Sequence, residues 1–137
     1  MINAFQEGYF FLSNFYEAPV TYNGITYQNN EAAFQAQKSS IPEEFKDLNP
    51  TEAKKLGRQV SLRPDWESVK VKVMREIVHE KFAQNPDLAQ RLIDTGDEYL
   101  EEGNTWGDMV WGTVNGQGAN LLGQILMAER RELQSKT

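Results

Sequence analysis

Glu31, Gln35 and Lys38 stand at positions i, i+4 and i+7 of one short stretch, Tyr27 to Lys38. At about 100° per residue, that spacing brings all three to one face of a helix. Ala32, Ala33 and Ala36 keep the adjoining surface small. Glu31 and Lys38 are then about 10 Å apart at the backbone, and their long side chains can converge on one substrate held between them. The same pattern also describes a solvated polar face.

Three other stretches have residue types suited to a ligand. Gly103 to Gly112 sets Asp108 between Trp106 and Trp111, with glycines that let backbone approach a ligand closely. Tryptophan faces suit stacking on a planar base, and an aspartate among them can bind sugar hydroxyls or polarise water. A core tryptophan pair with a capping aspartate is the other reading. Gly116-Gln117-Gly118-Ala119-Asn120 leads into an apolar helix, so its amides are placed to cradle a phosphate. It matches neither a Walker loop nor the dinucleotide fingerprint. Ser13-Asn14 interrupts the aromatic run Phe10 to Tyr16. Buried, that pair must find partners; lining a pocket, it can offer them to a ligand. Lys54, Lys55, Arg58 and Arg63 form the one dense run of positive charge, either exposed helix surface or an anion-facing patch.

The elements that position these groups are readable from local chemistry. Pro19 to Tyr22 and Ile25 to Tyr27 flank Asn23-Gly24, a strong hairpin signal. The second strand runs into the Glu31 helix, for which Asn29 or Asn30 can cap the first amides. In that helix's first turn the dipole favours the Glu31 carboxylate. Residues 43–47 read as a short turn or helix. Asn49-Pro50-Thr51-Glu52 opens another helix with an N-cap, proline at N1 and an acid at N3, and Gly57 is expected to close it. Asp65 is expected to cap the longest helix, with Val69, Val73, Ile77, Val78 and Phe82 facing the core. His79 beside that stripe reads as structural or exposed. Asn85-Pro86 ends it and starts a shorter helix with Leu88, Leu92 and Ile93 inward, closed by Gly96. Residues 97–102 are expected to supply a short strand.

The whole chain narrows the classes. With 137 residues it is expected to form one domain, 1–137, predominantly helical α+β, with an N-terminal hairpin and five or six helices. No apolar run is long enough to span a membrane, and the N-terminus lacks a signal peptide's pattern, so a cytoplasmic protein with no membrane partner is expected. Without cysteine and with one histidine, thiolate catalysis and cysteine or multi-histidine metal sites are excluded, so no metal or other cofactor is expected. A net charge of −6 argues against a bulk nucleic-acid binder while leaving room for a local basic pocket.

Taken in order, the chain resembles the NADAR family. The resemblance rests on Phe11-Leu12-Ser13-Asn14-Phe15, on Glu-x-x-Phe-Gln-Ala-x-Lys from Glu31 to Lys38, and on Leu56-Gly57-Arg58 and Asp65-Trp66-Glu67. It continues through Asn85-Pro86, Thr95-Gly96-Asp97, Gly103 to Asp108, Trp111-Gly112, and Gly118-x-Asn120-x-Leu122-Gly123. One departure is Ala32, where the family often has histidine or another larger side chain; it bears on which leaving group fits. The resemblance implies cleavage of an N-glycosidic bond at ribose C1′. The implied substrates are phosphoribosylamino-pyrimidine intermediates of riboflavin synthesis, or ADP-ribose attached to guanine in a nucleoside or nucleic acid. It implies Glu31, Lys38 and Asp108 as catalytic residues. Ser13, Asn14, Phe15, Gln35, Arg58 and Trp66 are implied as substrate-binding, and so are Trp106, Trp111, Gly112, Gly118 and Asn120. Glu31 would be the acid or charge stabiliser. Lys38 would be a neutral amine that attacks C1′, or else an anion partner. A reader module that binds ADP-ribose or a related nucleotide without turnover is the alternative function.

Overall fold

A computed structural model describes residues 1–136. Its elements are a 3-10 turn at Glu7–Leu12, strands β1 (Glu17–Tyr22) and β2 (Ile25–Asn29), helix α1 (Asn30–Ala36), and a 3-10 turn at Pro42–Phe45. Helices α2 (Pro50–Gln59), α3 (Trp66–Gln84), α4 (Pro86–Ile93) and α5 (Leu121–Ser135) follow. The predominantly helical α+β class with one N-terminal hairpin is what the sequence leads one to expect. The chain divides into two compact units, Asn14–Asn85 and Met1–Ser13 together with the chain from Pro86 onward.

In the first unit the hairpin turns at Asn23-Gly24, both at positive φ (51° and 82°), the combination a tight two-residue turn demands. Val20 pairs with Tyr27 across the ladder, and both are fully buried. Pro19, which has no amide to donate, falls where the register slips between Glu17 and Val20. β2 passes directly into α1, which packs on the hairpin, α2 and α3. Asn49 and Glu52 close a reciprocal capping box on α2, with bonds of 2.8 and 2.9 Å.

Two expected boundaries are corrected. Gly57 does not close α2, which continues to Gln59; its conformation is helical, and its role lies in packing. Asp65 stands at the N-cap position of α3 but makes no side-chain cap. Its carboxylate is taken by Arg63, with bonds of 2.6 and 2.9 Å. Val73, Ile77, Val78 and Phe82 are buried, and Trp66, Met74 and Lys81 join them; Val69 and His79 are half-buried.

In the second unit α4 packs against α5. Leu88 and Leu92 are buried and Ile93 half-buried, with Gly96 at φ 70° just beyond the helix. The strand expected over 97–102 reduces to one parallel bridge between Ile2 and Leu100. Its hydrogen bonds run from the Ile2 amide to Tyr99 and from the Glu101 amide to Ile2, each 2.9 Å. Among the described residues, no helix is long and apolar enough to cross a membrane.

Candidate active site

Asn29 caps α1, its side-chain oxygen accepting the Ala32 amide at 2.7 Å. The Glu31 amide donates to the Asn14 carbonyl at 3.0 Å, so the chain before β1 fixes where the glutamate starts. The Asn14 side chain is buried: it accepts from Asn30 Nδ2 at 3.4 Å and donates to Met74 Sδ at 3.5 Å. Asn30 keeps one buried oxygen, Oδ1, without a hydrogen-bond partner. Within the helix Gln35 Nε2 donates to Glu31 Oε2 at 2.6 Å. Glu31 is 9% exposed and Gln35 6%, so this is an enclosed pair and not a solvated polar face.

Lys38 is not on the helix. α1 ends at Ala36 with Gln37 as its C-cap, and the Lys38 amide bonds to the Gln35 carbonyl at 3.2 Å in a tightened final turn. Its own carbonyl accepts the Arg63 amide at 3.1 Å, which fixes the turn against the segment before α3. The Lys38 side chain is half-buried, with Nζ 5.9 Å from the Trp66 ring centroid. Burial lowers its pKa below the usual lysine value. Glu31 opposes that shift, Arg58 and Lys70 reinforce it, and Glu67 opposes it. Glu31, Gln35, Lys38 and Arg58 are therefore gathered in one region of the first unit. Glu67 and Lys70 belong to the same field but escape a sequence reading, because they reach Lys38 from another helix.

Trp66 is 4% exposed and packs its ring on Phe34 at 5.1 Å and 55°. It is a wall for Lys38 and presents no open face for stacking. Phe15 is half-buried with Lys54 Nζ 5.8 Å from its ring. Arg58 is exposed. Ala32, the departure from the family pattern, is fully buried.

The other sequence-derived positions lie in the second unit. Ser13 is buried, its amide bonded to Phe10 at 2.9 Å. Asp108 Oδ1 accepts the amides of Val110 and Trp111 at 3.0 and 2.9 Å, so the carboxylate holds its own loop in shape. Asn104 clasps Asp108 from the other side, accepting its amide and donating to its carbonyl. Trp106 is 59% exposed and Trp111 half-buried, so the reading of a core tryptophan pair does not hold.

The expected phosphate cradle is also corrected. The amides of Gln117, Ala119, Asn120, Leu121 and Leu122 all donate to protein carbonyls, four of them to residues 109–112. Gly112 and Gly118 permit that close packing: a Cβ at Gly112 would lie 2.0 Å from the Glu102 carbonyl oxygen, and one at Gly118 2.5 Å from that of Gly112. The Asn120 side chain donates to the Leu100 carbonyl at 3.0 Å and accepts the Glu102 amide at 2.9 Å. Its amide is thereby occupied at both ends by loop backbone.

Comparison with known proteins finds relatives over most of the chain. A riboflavin biosynthesis protein of Vibrio vulnificus is 41% identical over 135 residues, covering 93% of this chain and 36% of that protein. This chain thus spans about a third of that relative's length. The N-glycosidase YbiA of Shigella flexneri is 40% identical over 128 residues, covering 88% of this chain and 79% of that protein. The solution structure of the E. coli protein YbiA superposes with a TM-score of 0.84 at 34% identity, over 99% of this chain and 88% of that one. These names agree with the enzyme reading of the sequence. The NADAR domain model matches residues 3–134, and the chain belongs to that family.

Proposed function

We propose that the chain is a hydrolase cleaving the N-glycosidic bond at C1′ of a phosphorylated ribosyl compound. The candidate substrates are ADP-ribosylated guanine and a phosphoribosylamino-pyrimidine. The observation that carries the reading is Lys38, an amine whose charge is disfavoured by burial and which shares its field with the Glu31 carboxylate. A group that only bound anions would gain nothing from a weakened charge, whereas a nucleophilic amine needs the neutral form. The N-glycosidase name of relatives about 40% identical supports the same chemistry.

In this reading the neutral Lys38 amine attacks C1′ while the C1′–N bond breaks, and Glu31 gives its proton to the departing nitrogen. Glu31, now a carboxylate, takes a proton from the Lys38 nitrogen and passes it to the ring oxygen as the C1′–O bond breaks, leaving the opened sugar on Lys38 as a protonated imine. Water adds to that imine, the C1′–N bond to Lys38 breaks, and the free sugar leaves with the neutral amine restored and the released proton returned to Glu31.

The test is incubation with ADP-ribosylated guanosine, ADP-ribosylated DNA and a phosphoribosylamino-pyrimidine, followed by mass spectrometry. Release of the free base and sugar from one of them is expected. With borohydride present during turnover, the peptide containing Lys38 should gain the mass of a reduced sugar adduct. Intact substrate in all three incubations would overturn the reading.

A further inference from the structure

Gln35, the residue that holds Glu31, is itself held by a glycine from another helix. A Cβ built on Gly57 would lie 2.0 Å from Gln35 Oε1 and 2.8 Å from its Cδ. Gln35 is almost fully buried, so these atoms have no open space into which to swing. Glycine inside a helix weakens it relative to alanine, and contact with Gln35 is a reason to keep it. The Gln35 amide also has two unequal ends. Its nitrogen bonds to Glu31 Oε2, while its buried oxygen has no hydrogen-bond partner. Turning the amide over would set its oxygen against the carboxylate oxygen, so the carboxylate dictates the orientation and the orphan acceptor is the consequence.

We propose that Gly57 is a positioning residue for Glu31: the space left by its missing side chain keeps the Gln35 amide on Oε2, and that bond sets the position and proton affinity of the carboxyl that protonates the leaving nitrogen. The catalytic consequence rests on the N-glycosidase reading; the positioning does not. The titratable and charged groups on the elements packed against α1 are Glu52, Lys54, Lys55 and Arg58 of α2; Glu67, Lys70, Lys72, Arg75, Glu76, His79, Glu80 and Lys81 of α3; Glu43 and Glu44 of the 3-10 turn; and Glu17 and Tyr22 of β1. Lys38 follows on α1's own end, and Tyr27 of β2 is buried. None of these is changed by the variants below.

A hydrogen bond donated to a carboxylate favours its ionised form, so losing it raises the pKa. The experiment is a carbon-13 NMR titration of the glutamate carboxyls in the wild-type chain, Gln35→Met, Gly57→Ala and the double variant, with Glu31→Gln to assign the signal. Glu31 should titrate about one pH unit higher in each single variant. The double variant should shift no further than the larger single, because both act on one bond. If Gly57→Ala does not fold, Gly57→Ala with Gln35→Ala should, since the clash is then relieved. A Glu31 titration unmoved in Gln35→Met, or in a folded Gly57→Ala, overturns the proposal, as does failure of the relieved pair to fold. The titration needs no substrate, so its failure would leave turnover and the Lys38 adduct untouched. Failure of the glycosidase reading would likewise leave the titration standing.

Discussion

The Lys38 amine lies 5.9 Å from the centroid of the Trp66 ring, near the outer limit of a useful cation–π contact. The ring face favours the charged amine and burial disfavours it. Such a contact is worth about 0.5–2 kcal/mol, while full burial can move a lysine by about 3–5 pKa units. At this distance and depth burial is the larger effect, and the pKa falls. Trp66 therefore acts on Lys38 chiefly by excluding water.

That shift has a stability consequence. The folded pKa lies below the unfolded one, so the folded state binds fewer protons in the interval between them. Stability owed to this group then rises with pH across that interval. The penalty is full below the folded pKa and is gone once pH exceeds the unfolded value of 10.5. Urea unfolding of the wild-type chain and Lys38→Met, compared from pH 7 to pH 10.5, should show the wild type gaining on the variant as pH rises. A pH-independent difference between the two would mean that Lys38 titrates normally.

Glu31→Gln should fold, because the new side chain still offers Gln35 a carbonyl oxygen in place of Oε2. It cannot donate a proton to a leaving nitrogen. General acid–base groups supply ~10²–10⁴ in rate, and turnover should fall by that order with little change in melting temperature. Single-turnover kinetics within a factor of a few of wild type would leave Glu31 as a helix-start carboxylate only.

Asp108 separates structure from chemistry through two variants. Asp108→Asn keeps an oxygen for the Val110 and Trp111 amides, so the loop should hold. Asp108→Ala strips both amides of their acceptor and should cost about 1–2 kcal/mol in thermal unfolding. If the carboxylate orients water or ribose, Asp108→Asn loses turnover of the same order as Glu31→Gln despite its intact loop. An active Asp108→Asn would confine Asp108 to holding the loop.

How much of this was legible follows from the range of each interaction. Asn23-Gly24, the Asn49–Glu52 box and the Asn29 cap depend on neighbours within a few residues, and all three stand where the sequence places them. Gly57 was misread because its partner, Gln35, belongs to another helix; by local rules a glycine late in a helical pattern ends it. Asp65 was misread because a bidentate arginine two residues away outcompeted the helix amides. The Gly116–Asn120 turn has the composition of an anion cradle, yet the amides of residues 119–122 meet the carbonyls of residues 109–112, a pairing no local pattern encodes. Glu31, Gln35 and Lys38 do come together as their spacing suggests. The helix is shorter than its periodicity, and the last of the three is held by the turn and by Arg63.

The amides of residues 117 and 119–122 are spent on protein carbonyls and are not placed to recognise a phosphate. Cationic side chains of the first unit remain, and the two arginines differ. Arg63 is committed to Asp65 through two bonds. Arg58 is exposed, in no ion pair among the described residues, and close enough to lower the Lys38 pKa by repulsion. If Arg58 meets the substrate phosphate, Arg58→Ala should raise KM roughly fivefold, the size of one exposed charge contact of about 1 kcal/mol. It should also flatten the rise of KM with salt, since a screened contact has been removed. Because the same guanidinium repels the Lys38 ammonium, its loss should raise the Lys38 pKa and shift borohydride trapping toward higher pH. Arg63→Ala should change neither KM nor its salt dependence. KM values for both variants, measured at two ionic strengths with the phosphorylated substrate and its dephosphorylated nucleoside, decide the matter. Equal effects from Arg58→Ala and Arg63→Ala, or a dephosphorylated nucleoside that binds as well as the phosphorylated substrate, would remove Arg58 from phosphate recognition.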